Sequence, residues 1–338
     1  MRVLVREVSE TEKEEFNKLA LHITQSWQWG SFRLQEGSVV NVSRLGFFDG
    51  AQLCRAYQIF FHRVPYLNKL IAYLPRSPLP ANEDLAAITK ICRDHGAIYL
   101  KLEPEIPAGT PINLFGLRPA KPILPPHTLQ IDLTMSREDI LAGMREKTRY
   151  NIKVATKNGV TVAQKDDPES LEAFIKLHND TQLRQGFYAK SDGYLQKLWG
   201  VLHPAKMVYL LCAYAPNETE PLAALMLFYF NSVLYFPYGG WAAKKRELMP
   251  NNLLHFEAIK LGQNLGAKTY DLWSSYKEKP LPSDPWYGTY VFKKGFGGKE
   301  VDFAGAFDLP LNQPMYLAAQ WADKVRWPVL KFKRLLRI

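Results

Sequence analysis

Cysteine is scarce in this sequence: only Cys54, Cys92 and Cys212 occur in 338 residues, an odd number at wide spacing with no CxxC pair. That argues against a disulfide framework and a thiolate zinc site, and leaves buried, reduced thiols as the expectation. Long apolar runs are also missing. The opening MRVLVREVSETEKEEF has no apolar core of the kind a secretion signal carries, and no window reaches the ~18 uncharged apolar residues of a spanning helix. A soluble, cytoplasmic protein is expected. GxxxxGK[ST], GxGxxG and HExxH are absent, which removes the common phosphate, dinucleotide and zinc-protease fingerprints. The seven histidines, at 22, 62, 95, 127, 178, 203 and 255, have no ligand spacing and read as structural or surface residues. No metal and no bound cofactor are expected. Acids are outnumbered, 33 against 43 Lys and Arg, and the resulting +10 favours a polyanionic partner: RNA, a nucleotide-bearing substrate or an anionic membrane surface.

What is present is a folded composition, 47% hydrophobic and 13% aromatic, in a chain long enough for two domains. The two halves resemble each other. TKICRDHGAIYLKL at 89–102 matches IKLGQNLGAKTYDL at 259–272, each an amphipathic helix, a Gly-Ala step and a strand. Upstream of each lies an apolar hairpin, LAALMLFYF and VLYFPYGG around Asn231-Ser232 in the second half, and AYQIFFHRV with LIAYLP in the first. An α/β (α+β) fold of two similar domains follows. Prolines 122, 125 and 126 interrupt regular structure before a new strand, so the first domain is expected at 1–135 and the second at 136–308.

After that boundary the pattern predicts one long helix, capped by Ser136 with Asp139, striped by Ile140, Met144, Ile152 and Ala155, and stopping at Gly159. Arg145, Arg149, Lys153 and Lys157 recur on it at four-residue steps, as a solvated face or an anion-binding one. The C-terminal ADKVRWPVLKFKRLLRI interleaves cations with apolar residues, which suits lipid headgroups, RNA or a basic helix packed on the body. Two further segments point to chemistry. In YGTYVFKKGFGGKEV, 287–301, paired lysines sit among aromatics and lead into Gly295, Gly297 and Gly298; a lysine so held could stabilise an oxyanion, and glycines would let backbone approach a ligand. A turn leading into an edge strand is the plainer alternative. In TQLRQGFYAK, Arg184 and Tyr188 lie four apart and would share a helical face, suited to a diphosphate and a base or peptide.

Eight segments in order, QSWQWGSFR (25–33), YLPRSPL (73–79), KLEPE (101–105), KTRYNIKVATKNGVTV (147–162), RQGFY (184–188), YFPYGG (235–240), LGAKTYDL (265–272) and VFKKGFGG (291–298), resemble the FemABX family of peptidoglycan cross-bridge aminoacyltransferases, across nearly the whole chain. The resemblance implies two GNAT-like acyltransferase domains in tandem, with the C-terminal tail, 309–338, returning to the first. It implies transfer of an amino acid from aminoacyl-tRNA, the co-substrate, to the stem peptide of a peptidoglycan precursor, either UDP-muramyl-pentapeptide or a lipid-linked form, with consequences for cell wall organisation and cell shape. Peripheral contact with the inner membrane surface goes with the lipid-linked case, and no protein partner is implied. Carried over by position, Arg33, Arg184, Tyr188 and Tyr238 would hold the precursor, Glu103, with Glu105 as its competitor, would contact the acceptor, and Phe292 and Lys293 would face the aminoacyl end, Lys293 as the catalytic cation. An aminoacyl ester is already activated, so alignment and oxyanion stabilisation suffice and no covalent nucleophile is needed.

The tRNA backbone would meet the cationic helix at 145–157 or the Lys244, Lys245, Arg246 cluster. Departures from the family pattern are Ser77 where many relatives carry glycine, DLWSS at 271–275 where a glycine is usual, and the lack of a coiled-coil insertion. Two competing readings are an acyl-CoA-dependent N-acyltransferase of GNAT type and a non-catalytic RNA- or membrane-binding protein. The first expects a glycine-rich pyrophosphate loop where KKRELMPNNLLHF, 244–256, has no glycine; the second leaves the ordered motifs unexplained.

Overall fold

The computed structural model describes residues 3–64, 68–185, 192–276, 280–284 and 287–322. Their elements run β1 (Leu4–Glu7), α1 (Lys13–Leu19), α2 (Trp27–Glu36), β2 (Asn41–Asp49), β3 (Gln52–Arg63), β4 (Leu70–Ser77), α3 (Asn82–Asp94), β5 (Ala97–Pro104) and β6 (Arg118–Ala120). They continue with β7 (His127–Asp132), α4 (Arg137–Gly143), α5 (Glu146–Lys157), β8 (Thr161–Lys165), α6 (Pro168–Gln185), α7 (Asp192–Leu202), β9 (Val208–Tyr214), β10 (Ala223–Phe230) and β11 (Val233–Trp241). The order closes with α8 (Pro250–Asn264), β12 (Thr269–Asp271), α9 (Tyr287–Gly295), β13 (Lys299–Asp302) and β14 (Ala306–Pro310).

Two compact units result, one from residues 1–30, 37–124 and 304 onward, the other from 31–36 and 125–303. The boundary expected at 135 therefore falls near 124, because β7 hydrogen-bonds into the second sheet, antiparallel to both β12 and β13. The late strand of the first unit is β14, antiparallel to β5 and β6. The returning tail thus begins at 304, with residues 323–338 outside the described part.

Each unit holds a seven-stranded mixed sheet, ordered β1-β2-β3-β4-β5-β14-β6 and β13-β7-β12-β11-β10-β9-β8. Read from opposite ends, the two orders share one plan: an antiparallel hairpin, a crossover helix, and one parallel pair, β4 with β5 and β11 with β12. The repeated helix, Gly-Ala and strand segments are α3 with β5 and α8 with β12. Gly96 and Gly266 take φ of +72° and +76° just past these helices, a conformation in which a side chain would be strained.

The burial pattern explains the strands. Every residue of β5, in the first sheet, is buried, and in the second sheet β10 is buried at all but one position, because α6 and α8 both pack on it. The second unit's core gathers Leu129, Leu211, Leu225, Leu227, Leu254, Ile259 and Tyr270, and that of the first gathers Tyr57, Ile59, Phe61, Leu74, Ile88 and Leu100. Each such side chain contributes about 1.5–3 kcal/mol by leaving water. Cys92 and Cys212 are buried as expected, with their thiols pushed up to about 12 and about 11 by desolvation, whereas Cys54 is exposed on β3.

The single long helix expected after Ser136 is broken in two. Ser136 Oγ does accept from the Asp139 amide and cap α4, but Met144 and Arg145 are extended, with ψ of 153° and 147°. The Arg145 amide there donates to Gly295 O at 2.9 Å. The break is tertiary in origin, a bond to α9 that a continuous helix could not make.

Glu103 serves the first unit internally. Its carboxylate accepts from the amides of Ile123 at 2.5 Å and Leu124 at 3.1 Å, and burial raises its pKa against the pull of those amides. Glu105 pairs with Arg76 at 3.2 Å. Glu103→Gln keeps the volume but turns an amide group toward one of the two N–H donors, so a loss of about 1–3 kcal/mol is expected in thermal or denaturant unfolding. An unchanged midpoint would show that the loop at 123–124 does not depend on this carboxylate.

Candidate active site

The second unit opens a cavity where its sheet splays. β11 pairs in parallel with β12 only from Val233 to Tyr235, yet it continues to Trp241 with β10 as its partner. The edge released beyond Tyr235 faces a cavity of about 510 Å³, walled by the end of α6, the start of α8, the segment after β12, and α9. Lys293, Phe292, His255, Ser274, Trp273 and Thr181 are among its lining residues.

Helix α9 brings Phe292 and Lys293 to the cavity. It ends in Gly295, followed by Gly297 and Gly298 with φ of +77° and +85°. These glycines were expected to admit a ligand. They instead admit the protein's own atoms: a Cβ at Gly297 would lie 2.7 Å from the backbone oxygen of Gly143, one at Gly298 2.6 Å from that of Gln130, and one at Gly295 2.3 Å from the side-chain Oγ1 of Thr148. Lys293 lies in the last helical turn, where the helix dipole favours a cation, and is 8% exposed. Its ammonium donates to Leu272 O at 2.9 Å, Ser274 O at 3.0 Å and Ser274 Oγ at 2.9 Å. Burial lowers its pKa to about 8, against the raising effect of Asp271, so the cation persists at neutral pH. Because Ser274 Oγ accepts from Lys293, its own hydrogen is turned away from the ammonium and is polarised by it.

Phe292 meets His255 edge-on at 5.2 Å and Phe296 at 5.1 Å, forming an aromatic wall. His255 belongs to the site despite its lack of any sequence motif. Burial and the charge of Lys293 hold its pKa down to about 3, so it is neutral, and its Nδ1 is 2.8 Å from the hydroxyl of Tyr270. Burial drives the Tyr270 phenol well above its ordinary range, so it keeps its proton beside the neutral ring. Asp271 organises the floor, accepting from Thr128 Oγ1 at 2.6 Å, Gln130 Nε2 at 2.9 Å and the Trp273 amide at 2.6 Å. Trp273 has φ of +67°, a left-handed conformation that costs a non-glycine residue roughly 1–3 kcal/mol. This is the segment in which the family pattern usually carries glycine.

Arg184 sits at the exposed end of α6, donating to Thr181 Oγ1 at 3.0 Å and to Trp241 O, both residues of the cavity wall. Tyr188, expected beside it, lies outside the described residues. Arg33 and Tyr238 come together through Tyr194 of α7: the two phenols are 3.2 Å apart, Arg33 interacts with both, and the Arg33 charge is countered by Glu36 at 3.1 Å. Enclosure lifts the Tyr238 phenol well above its ordinary range. Tyr238 immediately precedes Gly239, a cavity residue, so the cluster and the cavity share strand β11. Glu103 is in the other unit, bonded as described above. Lys244 and Lys245, offered as an RNA contact, are committed to Glu218, Lys245 at 2.5 Å and Lys244 at 3.9 Å, with Glu220 3.7 Å from Lys244.

A GNAT acetyltransferase domain model matches residues 142–287. Lipid II:glycine glycyltransferases of Staphylococcus haemolyticus (strain JCSC1435) and Staphylococcus aureus (strain USA300) are 21% and 22% identical to this chain, with 83% of it and 86% of each relative covered. A crystal structure of FemX superposes with a TM-score of 0.82 at 18% identity, over 93% of this chain and 99% of that one. The structure of L-PGS from Bacillus licheniformis does so with 0.54 at 12% identity, over 93% and 97%. The tandem GNAT-like α/β fold and the resemblance to the FemABX family are borne out.

Proposed function

We propose, with that FemABX kinship as the premise, that this protein transfers an amino acid from aminoacyl-tRNA to an amine on the stem peptide of a lipid-linked peptidoglycan precursor. The observation that carries the reading is Lys293, a buried cation held by three hydrogen bonds at the wall of a cavity large enough for an aminoacyl ester. The relatives' action on lipid II supports the choice of precursor.

The chemistry asked of the site is limited. The acceptor amine attacks the ester carbonyl, the carbonyl oxygen becomes an oxyanion, the C–O bond to the ribose breaks, and the amine's proton ends on the departing hydroxyl. Lys293, together with the hydroxyl of Ser274, meets the developing negative charge. Phe292 and Trp273 exclude water that would otherwise hydrolyse the ester. Arg184 at the rim, and Arg33 with Tyr194 and Tyr238 on the same strand's flank, supply donors for the diphosphate and peptide.

Acyl-CoA chemistry fits less well. A pyrophosphate would be cradled at the N-terminus of α8, but that helix starts Met249-Pro250: the proline has no N–H to offer, and the Asn252 amide already donates to Met249 O at 3.1 Å. Purified protein given labelled aminoacyl-tRNA should pass label to the lipid-linked pentapeptide in preference to the UDP-linked one. No transfer to either, with acetyl-CoA binding seen by calorimetry, would move the protein to the acyl-CoA enzymes.

A further inference from the structure

Helix α5 buries Thr148, Ile152 and Ala155 and turns Lys147, Tyr150, Lys153 and Lys157 outward. These four fall within about a third of the helix circumference, since residues three, four and seven apart share a face. Tyr150 is 65% exposed, a large aromatic with no core role. Among the described residues none of the three lysines is in an ion pair, although the helix carries a carboxylate of its own, Glu146, in its first turn. Arg149, by contrast, is spent on the carbonyls of Ala142 and Met144.

The helix is anchored to the cavity wall. The Arg145 amide bonds to Gly295 O, two residues beyond Lys293, and Gly295 has no Cβ because Thr148 of α5 fills that space. On its other side Asn151 reaches Asn252 in the first turn of α8, next to the cavity residue Asn251. The helix that carries this face is thus bonded to both α8 and α9, two walls of the cavity.

We propose that the outward face of α5 binds a single-stranded stretch of the donor RNA, with Tyr150 stacking on an unpaired base and Lys147, Lys153 and Lys157 meeting phosphates on either side. The inference rests on the acyl-transfer reading above. An aromatic flanked by cations is the pattern that grips single-stranded nucleic acid, where every base offers a π-face and every linkage a charge. A bilayer would ask for several large apolar groups on this face, and it presents only one.

The test compares wild type with a K147A/Y150A/K153A triple variant, all three side chains being exposed, using deacylated tRNA over a series of salt concentrations. Affinity for tRNA should fall about tenfold or more, and the slope of log K against log salt should become shallower by about one to two. Y150F alone should keep the stacking and most of the affinity. In parallel, label transfer from an aminoacyl ester of a short 3′-terminal oligonucleotide reports on the cavity itself. Undiminished tRNA affinity and slope in the triple variant would overturn the proposal. So would loss of binding to phosphatidylglycerol vesicles with RNA binding intact. If wild type transfers from neither donor, the acyl-transfer reading falls, and the tRNA titration still judges the face.

Discussion

Lys293→Ala should reduce amino-acid transfer by about 10²–10³ in kcat, with a much smaller change in KM, because the charge it supplies is wanted when the oxyanion forms and little before. The cation is preorganised: three hydrogen bonds fix it, and the wall around it is aromatic, so no solvent reorganisation is required at the moment of reaction. A structural effect accompanies the substitution. Leu272 O and the two Ser274 oxygens lose their donor, so the melting temperature should drop by a few degrees, and activity must be measured well below it.

The pH profile separates two roles for this lysine. With its folded pKa at about 8, an electrostatic role predicts a rate that declines as pH rises through about 8, whereas a role as base predicts one that climbs over the same range. The stability sign is opposite. The folded pKa lies below the ordinary 10.5, so between about 8 and 10.5 the unfolded chain holds more of the proton, and folding stability contributed by this group rises with pH across that window. A climbing rate would reassign Lys293 from oxyanion stabiliser to proton acceptor.

Gly240→Ala should be among the most destabilising single-methyl additions in the second unit. A Cβ there would stand 2.5 Å from the His178 amide nitrogen, 2.6 Å from Leu177 C and 2.8 Å from Leu177 O. All three are backbone atoms of α6, which cannot swing aside as a side-chain tip can. A cost of about 3 kcal/mol is expected, which for a unit of this size lowers the transition by roughly 6–12 °C in scanning calorimetry. The displacement also pulls α6 from β11, parting Thr181 and Arg184 from Trp241 and lowering transfer even at temperatures where the unit is folded. Gly200→Ala is the control. Its Cβ would meet nothing within 4 Å on α7, so that variant should be neutral or gain about 0.5–1 kcal/mol. Equal melting of the two variants would show that the close approach at Gly240 is dispensable.

Much of this architecture was legible because it is local. The hairpin, helix, Gly-Ala and strand order announces itself in both halves through apolar runs and helical period, and it became the two parallel pairs at the centre of the sheets. The partners of β7 and β14 were not legible: a five-residue AFDLP carries no signal that names a strand from the far end of the chain. The break at Met144 and Arg145 went unseen for a related reason, since its cause is a carbonyl of α9 about 150 positions downstream. Of the site, Lys293 and Phe292 stood out by their unusual neighbours in sequence. His255, Ser274 and Trp273 did not, because their roles come from burial, from one hydroxyl's orientation and from a left-handed φ, none of which leaves a motif. The glycines after α9 signal a close approach, but the atoms that approach are the carbonyls of Gly143 and Gln130 rather than those of a ligand.

The placement of β14 bears on how the protein is made. At about 5–20 residues per second, a ribosome exposes β5 many seconds before it delivers the strand that covers β5's edge, and the whole second sheet emerges in the interval. Until then the first sheet ends on an open, fully buried-type strand, the kind of edge that captures other chains. Nascent chains are thus most vulnerable to aggregation in the interval after β5 has emerged and before β14 follows, and a stop codon shortly before Ala306 would make that exposed edge permanent.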